Sequence, residues 1–430
     1  MLRTIPIFLI FLVIFCLPGL SLGRIITVDD DAPADFANIQ DAIDMASYGD
    51  TVMVHPGTYY ENISFNGKNI ILTSTDPNDQ AIVESTIISS DIDEDPCTDN
   101  GSAVIFNGDE NENCILSGFT VTGSKFGSSV SHGILGGSFA NMAEATIENC
   151  LVTNHSGFGI SCLSGEISHC NISRCQLSGI GDCTGAYIHD CTIADNECGI
   201  LNCQYAIIQN CRVTSNLGVG IDFCWDCAII DSIISGNGYG AGRRGGISMC
   251  SGFIGNNIIA GNYGQVGGGC NTCGVMIPGN SASFVNNTII GNRAVSFAGG
   301  MYSCAGLITN CIFWGNESLS GAGQISDCEW PEFSCLEGSM GIGIGNIDDD
   351  PVFASPGYWN DNGTPGYWDD DVWVDGDFHL KSVSGRWDPS ANDQAGGWMY
   401  DLNSSPCIDA GNPSHPVEDE PMPHANITNM

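Results

Sequence analysis

The chain has 430 residues, and its 50 acidic against 11 basic side chains give a formal charge of −39. A surface of that sign repels nucleic acid and anionic membranes, and it disfavours polyuronates unless Ca²⁺ or a local arginine patch intervenes. The length exceeds one ordinary globular core and suits an elongated repeat built along one axis.

Residues 1–23 read as a secretory signal peptide. MLRT precedes an apolar run from Ile5 to Leu17, Pro18-Gly19 breaks it, and the small residues Ser21 and Gly23 follow, with cleavage near Gly23. The run is too short to span a membrane comfortably and no later stretch is longer, so the expectation is a secreted, extracellular or cell-surface protein with no membrane span. Of the 22 cysteines, Cys16 leaves with the signal. The remaining odd number suggests a disulfide framework with at least one thiol unpaired in the monomer.

Residues 24–84 read as an N-terminal cap and first coils. Phe36, Ile39, Ala42, Ile43 and Ala46 fall on one helical face behind Asp35, a candidate N-cap; the turn at Gly49-Asp50 leads into the alternating strand TVMVHPGTY, and KNIILTST (68–75) reads as the next strand. Such a helix is expected to cover the open end of a solenoid core.

Residues 85–345 carry a repeat, interrupted early by the insertion SSDIDEDPCTDNG. IENCLV (147–152), ISHCNI, IHDCTI, IQNCRV, IDSII, IGNNII, VNNTII and ITNCIF (308–313) align on a column of Cys150, Cys170, Cys191, Cys211, Ser232, Asn257, Asn287 and Cys311. Five residues on, a second column reads Asn196, Asn216, Asn237, Asn262, Asn292 and Asn316; a third, after each Gly-Ile-like step, reads Cys162, Cys183, Cys203, Cys224, Cys250, Cys273 and Cys304. Three short apolar steps and three bends per repeat predict an all-β fold, a right-handed single-stranded parallel β-helix (solenoid) with an N-terminal capping α-helix. Like residues stack on like at about 4.8 Å per coil. Asn tolerates the left-handed backbone at a bend, and Cys is small and prefers burial. Stacked pairs such as Cys150/Cys170 and Cys203/Cys224 fall within the roughly 4.4–6.8 Å Cα range that permits a disulfide. CWDC (224–227) and CNTC (270–273) lack the partners of a zinc set, so the thiols read as structural.

Residues 346–430 are rich in Trp, Tyr, Asp and Gly and read as loops and short strands on the last coils. The polar, Pro-rich tail shows no capping element, and truncation or a following module is expected.

NIQDAIDMASYGDTVMVHPGTYYENI, the N-C and N-N coils, FHLKSVSGRWDP and SPCIDAGNP together resemble secreted bacterial right-handed parallel β-helix proteins of the pectin-lyase-like superfamily, over nearly the whole mature chain. That superfamily mixes lyases, hydrolases, esterases and epimerases, so the resemblance implies the fold and a polysaccharide partner, not one reaction. Gly57, Tyr59 and Glu61 match the G-x-Y-x-E segment of pectin methylesterases, a strand-and-turn element outside their catalytic set. The QDT, DFIFG and GRPW-like segments of those esterases are absent, as are the WIDH, RxPxxR, NTD, GHG and DPHE-like segments of pectate lyases, polygalacturonases and alginate epimerases.

Stacking also places ionisable groups. His169 and Asp190 fall on adjacent coils, and Asp190 and Asp231 two coils apart at about 9.6 Å, near the upper end of the ~6.5–9.5 Å separation of inverting glycosidases. Arg174 and Asp195 share another column. A groove of His169, Asp190, Asp231 and Arg174 could cleave a glycan with one Asp as acid and one as base. Solvated bend residues are the simpler account of the same letters. Acidic clusters at Asp29–Asp31, Asp91/Asp93/Glu94/Asp95, Asp348, Asp349 and Asp350, and Asp369 to Asp371 with Asp375 and Asp377, offer Ca²⁺ ligands, the main candidates being Asp348, Asp349, Asp350, Asp369 and Asp371. Tyr358, Trp359, Tyr367, Trp368 and Trp373 can stack on sugar rings or pack the tail onto the solenoid. The expected function is non-catalytic binding of extracellular or cell-envelope polysaccharide; the alternative is a divergent polysaccharide lyase or glycoside hydrolase.

Overall fold

The structure, a computed structural model, describes residues 23–31, 33–90, 101–123, 131–239, 244–274, 281–321, 323–391, 396–415 and 429–430. The expected signal peptide and the acidic group Asp91/Asp93/Glu94/Asp95 lie outside them, apart from Gly23. Among the described residues no helix is long and apolar enough to cross a membrane.

The chain winds as a right-handed parallel β-helix. Three parallel sheets run its length: sheet I, from Ile25–Val28 to Gly306–Thr309, sheet II, from Gly57–Tyr60 to Cys335–Leu336, and sheet III, from Ile63–Ser64 to Ile325–Ser326. Each strand pairs with its counterpart one coil away, as in Ile147↔Ile167↔Ile188↔Ile208 on sheet I and Val152↔Ile172↔Ile193↔Val213 on sheet II, all fully buried. Alternation along strands only two to four residues long sends one aliphatic side chain inward per sheet per coil, filling the axis with β-branched files.

The corners carry the repeat's polar letters for a backbone reason. Between sheets I and II, Asn149, His169, Asp190, Asn210, Asp231, Asn256, Asn286 and Asn310 all adopt φ between 50° and 57°. After sheet II the column runs Asn154, Arg174, Asp195, Ser215, then Gly236, Gly261, Gly291 and Gly315, at φ 56° to 64°. After sheet III it runs Cys162, Asp182, Asn202, Phe223, Met249, Thr272, Ser303 and Asp327, at φ 51° to 58°. Asn and Asp dominate the first column because they tolerate this left-handed region best among residues with a Cβ.

Cys150, Cys170, Cys191 and Cys211 follow one another in register just past the first corner, buried, each thiol donating to the carbonyl two residues back at 3.2–3.3 Å. The third thiol column needs one correction: the register Ile160↔Ile180↔Ile200 puts Leu163, not Cys162, in line with Cys183 and Cys203. Cys162 sits one residue earlier, in the left-handed corner position.

The Asn column is an unbroken internal ladder. In every coil the side-chain oxygen of one Asn accepts the backbone N–H of the residue below: Cys175 N to Asn196 Oδ1 at 3.0 Å, Asn196 N to Asn216 at 3.0 Å, Asn216 N to Asn237 at 3.0 Å, and so on to Asn316. Below Cys175 the column holds His155, whose Nε2 lies 3.2 Å from the Val121 carbonyl. Complete burial pushes His155 down to a pKa of about 4, so the ring is neutral.

Helix α1 (Ile39–Met45) closes the N-terminal end with Ile39, Ala42 and Ile43 fully buried in the solenoid core. Asp35 does not cap it, because its carboxylate accepts instead from the Thr27 N–H at 2.9 Å and the N-cap is Asn38. The orphan N–H groups of Ile39 and Gln40 are taken by Glu61 at 2.8 and 2.9 Å, and Lys68 Nζ donates to the last carbonyls at Ile43, Asp44 and Ala46. Glu61 in the G-x-Y-x-E segment therefore serves helix capping. A second short helix, α2 (Gln80–Ser85), capped by Asp79, lies on the outer face of sheet II, with Thr120 donating to the Val83 carbonyl at 2.9 Å.

Residues 346–415 add three antiparallel pairs, Phe353–Ser355 with Asp377–Leu380, Tyr358–Asn360 with Val372–Val374, and Arg386–Asp388 with Gly397–Met399. The first two dock on the C-terminal half of sheet II, where Phe353, Trp373, Phe378 and Cys407 form a second apolar cluster with Ala260, Ile290, Ile312 and Cys335. This docking accounts for glycine at two positions of the second corner column: a Cβ on Gly261 or Gly291 would come within 2.0 or 2.4 Å of the Trp373 ring.

Candidate functional site

His169, Asp190 and Asp231 share the corner between sheets I and II, so the stacked order read from the sequence is the order in space. Arg174 does not join them; it turns at the next corner, beyond strand Asn171–Ser173, with Asp195 one coil further on. The two carboxylates are already engaged. Asp190 accepts from His189 Nδ1 at 2.6 Å on one oxygen and from Asn210 Nδ2 on the other. Asp231 accepts from Gln209 Nε2 at 3.2 Å and from Asn256 Nδ2 at 3.2 Å.

Residues that the corner alignment alone did not single out complete this network. His189 Nε2 lies 3.1 Å from Glu166 Oε1, the Tyr187 ring stacks on His189 at 4.2 Å, and Tyr187 Oη donates to Gln209 Oε1 at 3.0 Å. The His169 ring meets His189 edge-on at 6.0 Å. Glu166, Tyr187, His189 and Gln209 are all outward positions of sheet I: His189 and Gln209 stand just before the corner in IHDC and IQNC, and Glu166 and Tyr187 stand two residues earlier on their strands.

Burial opposes charge on His189, but the hydrogen bonds from Asp190 and Glu166 outweigh it and raise its pKa above 6.5. The His189 and Asn210 contacts in turn hold Asp190 below 3.8. The raised His contributes stability that is complete below its unfolded pKa of about 6.5 and is lost as pH rises through the folded value. The depressed Asp contributes above about 3.8 and loses it as pH falls through its folded value. Both contributions coexist between about pH 4 and 6.5. A His189→Gln variant is expected to flatten the fall in denaturation midpoint above pH 6.5; an unchanged slope would show that the triad adds nothing to stability.

The candidate Ca²⁺ ligands are not drawn together. Asp348 accepts the N–H groups of Gly338 and Met340 at 2.8 and 2.6 Å, and Asp350 that of Val352 at 2.8 Å, so these carboxylates serve their own turns, while Asp349 offers its backbone carbonyl to Cys335. Asp369 accepts from Tyr263 Oη at 3.2 Å, and Asp371 is buried against Arg293. Asp375 binds Ser235, Arg212 and Trp373, and Asp377 binds Arg386. Among the described residues the carboxylates that gather are Asp29, Asp30 and Asp31, with one oxygen of each within 4.8 Å of the others.

The aromatic stretch is chiefly a packing device. Arg293 lies between the rings of Trp359 and Trp368 at 4.7 and 4.5 Å, Trp359 Nε1 donates to the Gly291 carbonyl at 2.6 Å, and Trp373 covers Gly261 and Gly291. Tyr358 and Tyr367 stay exposed.

Among the described residues, a strip of sheet II between α2 and the docked C-terminal segment stays partly exposed. Its outward residues are Leu151 and Thr153, Asn171 and Ser173, Thr192 and Ala194, Arg212 and Thr214, with inward Val152, Ile172, Ile193 and Val213 fully buried beneath them. At its N-terminal end a cavity of about 400 Å³ lies between α2 and the first corner, lined by Gln80, Glu84, Asn149, His169 and Asn171 among others. Arg174 flanks the strip at the second corner, and Arg212, 3.5 Å from Asp375, marks its C-terminal limit.

No protein-family model and no curated protein matches the chain. Among solved structures it is similar to pectate lyase Pel9A, at 15% identity and TM-score 0.44 over 92% of this chain and 93% of that one. XylC in complex with xylose is similar at 11% identity and TM-score 0.45 over 79% and 88% of the two chains. The A-module of mannuronan C-5 epimerase AlgE6 from Azotobacter vinelandii is similar at 15% identity and TM-score 0.37 over 67% and 92%. What the chain shares with them is the parallel β-helix architecture that its own three long sheets display. At such identities nothing about site residues transfers from those proteins to this one.

Proposed function

We propose that this β-helix protein is exported and binds an extracellular or cell-envelope polysaccharide along the open strip of sheet II, without cleaving it. The observation that carries the reading is the strip itself: among the described residues, adjacent strands between α2 and the C-terminal segment present in one column the amide of Asn171, the hydroxyl of Thr192 and the guanidinium of Arg212. Four strands span about 14 Å between the outer two, and the evenly spaced donors of Asn171, Thr192 and Arg212 suit a linear chain of hydroxyl-bearing rings. Arg174 and Arg212 give this strip cations in a chain with only 11 basic residues.

The carboxylates at the neighbouring corner support binding over cleavage. Each oxygen of Asp190 and Asp231 accepts from a neighbouring side chain, and an Asp190 held below 3.8 is a poor proton donor near neutral pH. A glycan array followed by affinity electrophoresis on purified protein tests the proposal. The expected result is retention by a polysaccharide, weakened about tenfold in an Arg174→Ala/Arg212→Ala double variant, as loss of ~1.4 kcal/mol of charge-assisted hydrogen bonding gives. Release of reducing ends or unsaturated products, abolished by Asp190→Asn, would overturn the non-catalytic reading; retention unaffected by the double variant would remove the strip.

A further inference from the structure

The hairpin of Arg386–Asp388 and Gly397–Met399 lies outside the strip and presents aromatic surface that packing leaves uncovered. Trp387 and Trp398 are directly opposed across it, so both project from one face, and they are 44% and 57% exposed. Tyr400 beside them is 73% exposed. The other tryptophans of the C-terminal segment pack on the solenoid or on Arg293.

Their geometry is that of a prepared surface. A Cβ on Gly396 would lie 2.1 Å from the Trp387 ring, so that indole packs closely on the glycine backbone while staying 44% exposed. Gly396 has φ +77°, a backbone that only glycine adopts readily. The hairpin is held in place from its other side by Arg386, whose guanidinium binds Asp377 at 3.0 Å, Asp401 at 3.1 Å and Asp388 at 3.6 Å. At the hairpin lies a cavity of about 400 Å³ whose lining includes Trp387, Trp398, Leu380, Ile408, Ser384 and His379. That volume falls in the range of small-ligand sites, about 300–1,000 Å³.

We infer that this cavity is a second carbohydrate site, which takes a neutral pyranose unit between Trp387 and Trp398. The inference rests on the polysaccharide reading for its ligand class and deepens it by adding a subsite. An indole face offers flat apolar area to the C–H side of a sugar ring, while hydroxyls at the ring's edge find Ser384 and His379. The cavity lining includes Arg386, and Asp377, Asp401 and Asp388 already bind its guanidinium at 3.0, 3.1 and 3.6 Å, so no free cation is left to hold a uronate carboxylate, which an uncharged sugar does not need.

The test titrates the full chain with xylohexaose, cellohexaose and mannohexaose, and with hexagalacturonate, following tryptophan fluorescence and binding heat. Saturable binding of at least one neutral oligosaccharide is expected, weakened about tenfold in both Trp387→Ala and Trp398→Ala, as loss of one stacked ring gives, and partly restored by Trp398→Phe. Binding to this site is expected to persist in the Arg174→Ala/Arg212→Ala variant, so failure of the strip leaves it standing. Absence of neutral binding, preference for the uronate, or affinity unchanged in both alanine variants would overturn the site. The Trp398→Phe variant keeps the result decisive if an alanine variant fails to fold.

Discussion

Replacing Asn237 with alanine lowers the unfolding free energy by roughly 3–5 kcal/mol, the sum for two or three buried groups at ~1–3 kcal/mol each. The Asn237 oxygen accepts from the Asn216 backbone N–H at 3.0 Å and the Asn216 side-chain amide at 2.9 Å, while its own amide donates to the Val213 carbonyl and to Asn262 at 2.9 Å. Water does not reach these positions, since Asn216, Asn237 and Asn262 are fully buried. Alanine leaves the Asn216 N–H without its acceptor and takes one hydrogen bond each from the Asn216 amide, the Val213 carbonyl and the Asn262 oxygen in the dry interior. A Cys211→Ala variant in the neighbouring column is the natural comparison. It removes a thiol whose hydrogen bonds at 3.3 and 3.6 Å are weak, and is expected to lose about 1 kcal/mol or less. Urea denaturation of the two variants checks the ordering; an Asn237→Ala protein within about 0.5 kcal/mol of the parent, the ordinary scatter of a neutral substitution, would show that the ladder does not stabilise the coils.

The second large effect lies where the C-terminal segment meets the solenoid. Arg293→Met leaves the buried carboxylate of Asp371 without its cation, and removal of one partner of a buried pair costs about 3–5 kcal/mol. The side chains of Arg293 and Asp371 are 12% and 3% exposed. The same guanidinium fills the space between Trp359 and Trp368, so its loss loosens the contact that holds 358–374 on sheet II. Limited proteolysis is expected to cut within 346–415 in the variant under conditions that spare the parent, with the parallel coils remaining intact. Equal cleavage of both proteins would mean that the segment is held by its apolar cluster with Phe353 and Trp373 alone.

Most of the fold is written in one dimension. Because each strand pairs only with its counterpart one coil away, a column in the sequence alignment is a column in space, and Cys150 to Cys211 or Asn196 to Asn316 could be stacked before any coordinate was known. The error at Cys162 has the same origin: the Gly-Ile step was matched one residue out of register in a coil where Leu163 takes the thiol's place. Helix α2 escaped notice because six residues give too little periodicity, though Asp79 capping Ala81 was its signal. Asp35 looked like a cap because it stands near a helical face, yet Glu61, just past the strand Gly57–Tyr60 and 22 residues beyond Ile39, supplies the acceptors.

By itself, then, the sequence determined what depends on neighbours along the axis: the winding, the aliphatic files, the polar corners and the order of His169, Asp190 and Asp231. Only the tertiary structure decided what depends on groups meeting around the axis or from outside it. It separated Arg174 from that corner, tied Asp190 to His189 and Asn210, turned Trp359, Trp368 and Trp373 inward, and left Trp387 and Trp398 outward. The physical reason is that stacking repeats at a fixed distance set by backbone hydrogen bonds, whereas the docking of a non-repeating segment follows from side-chain shape and charge that no period encodes.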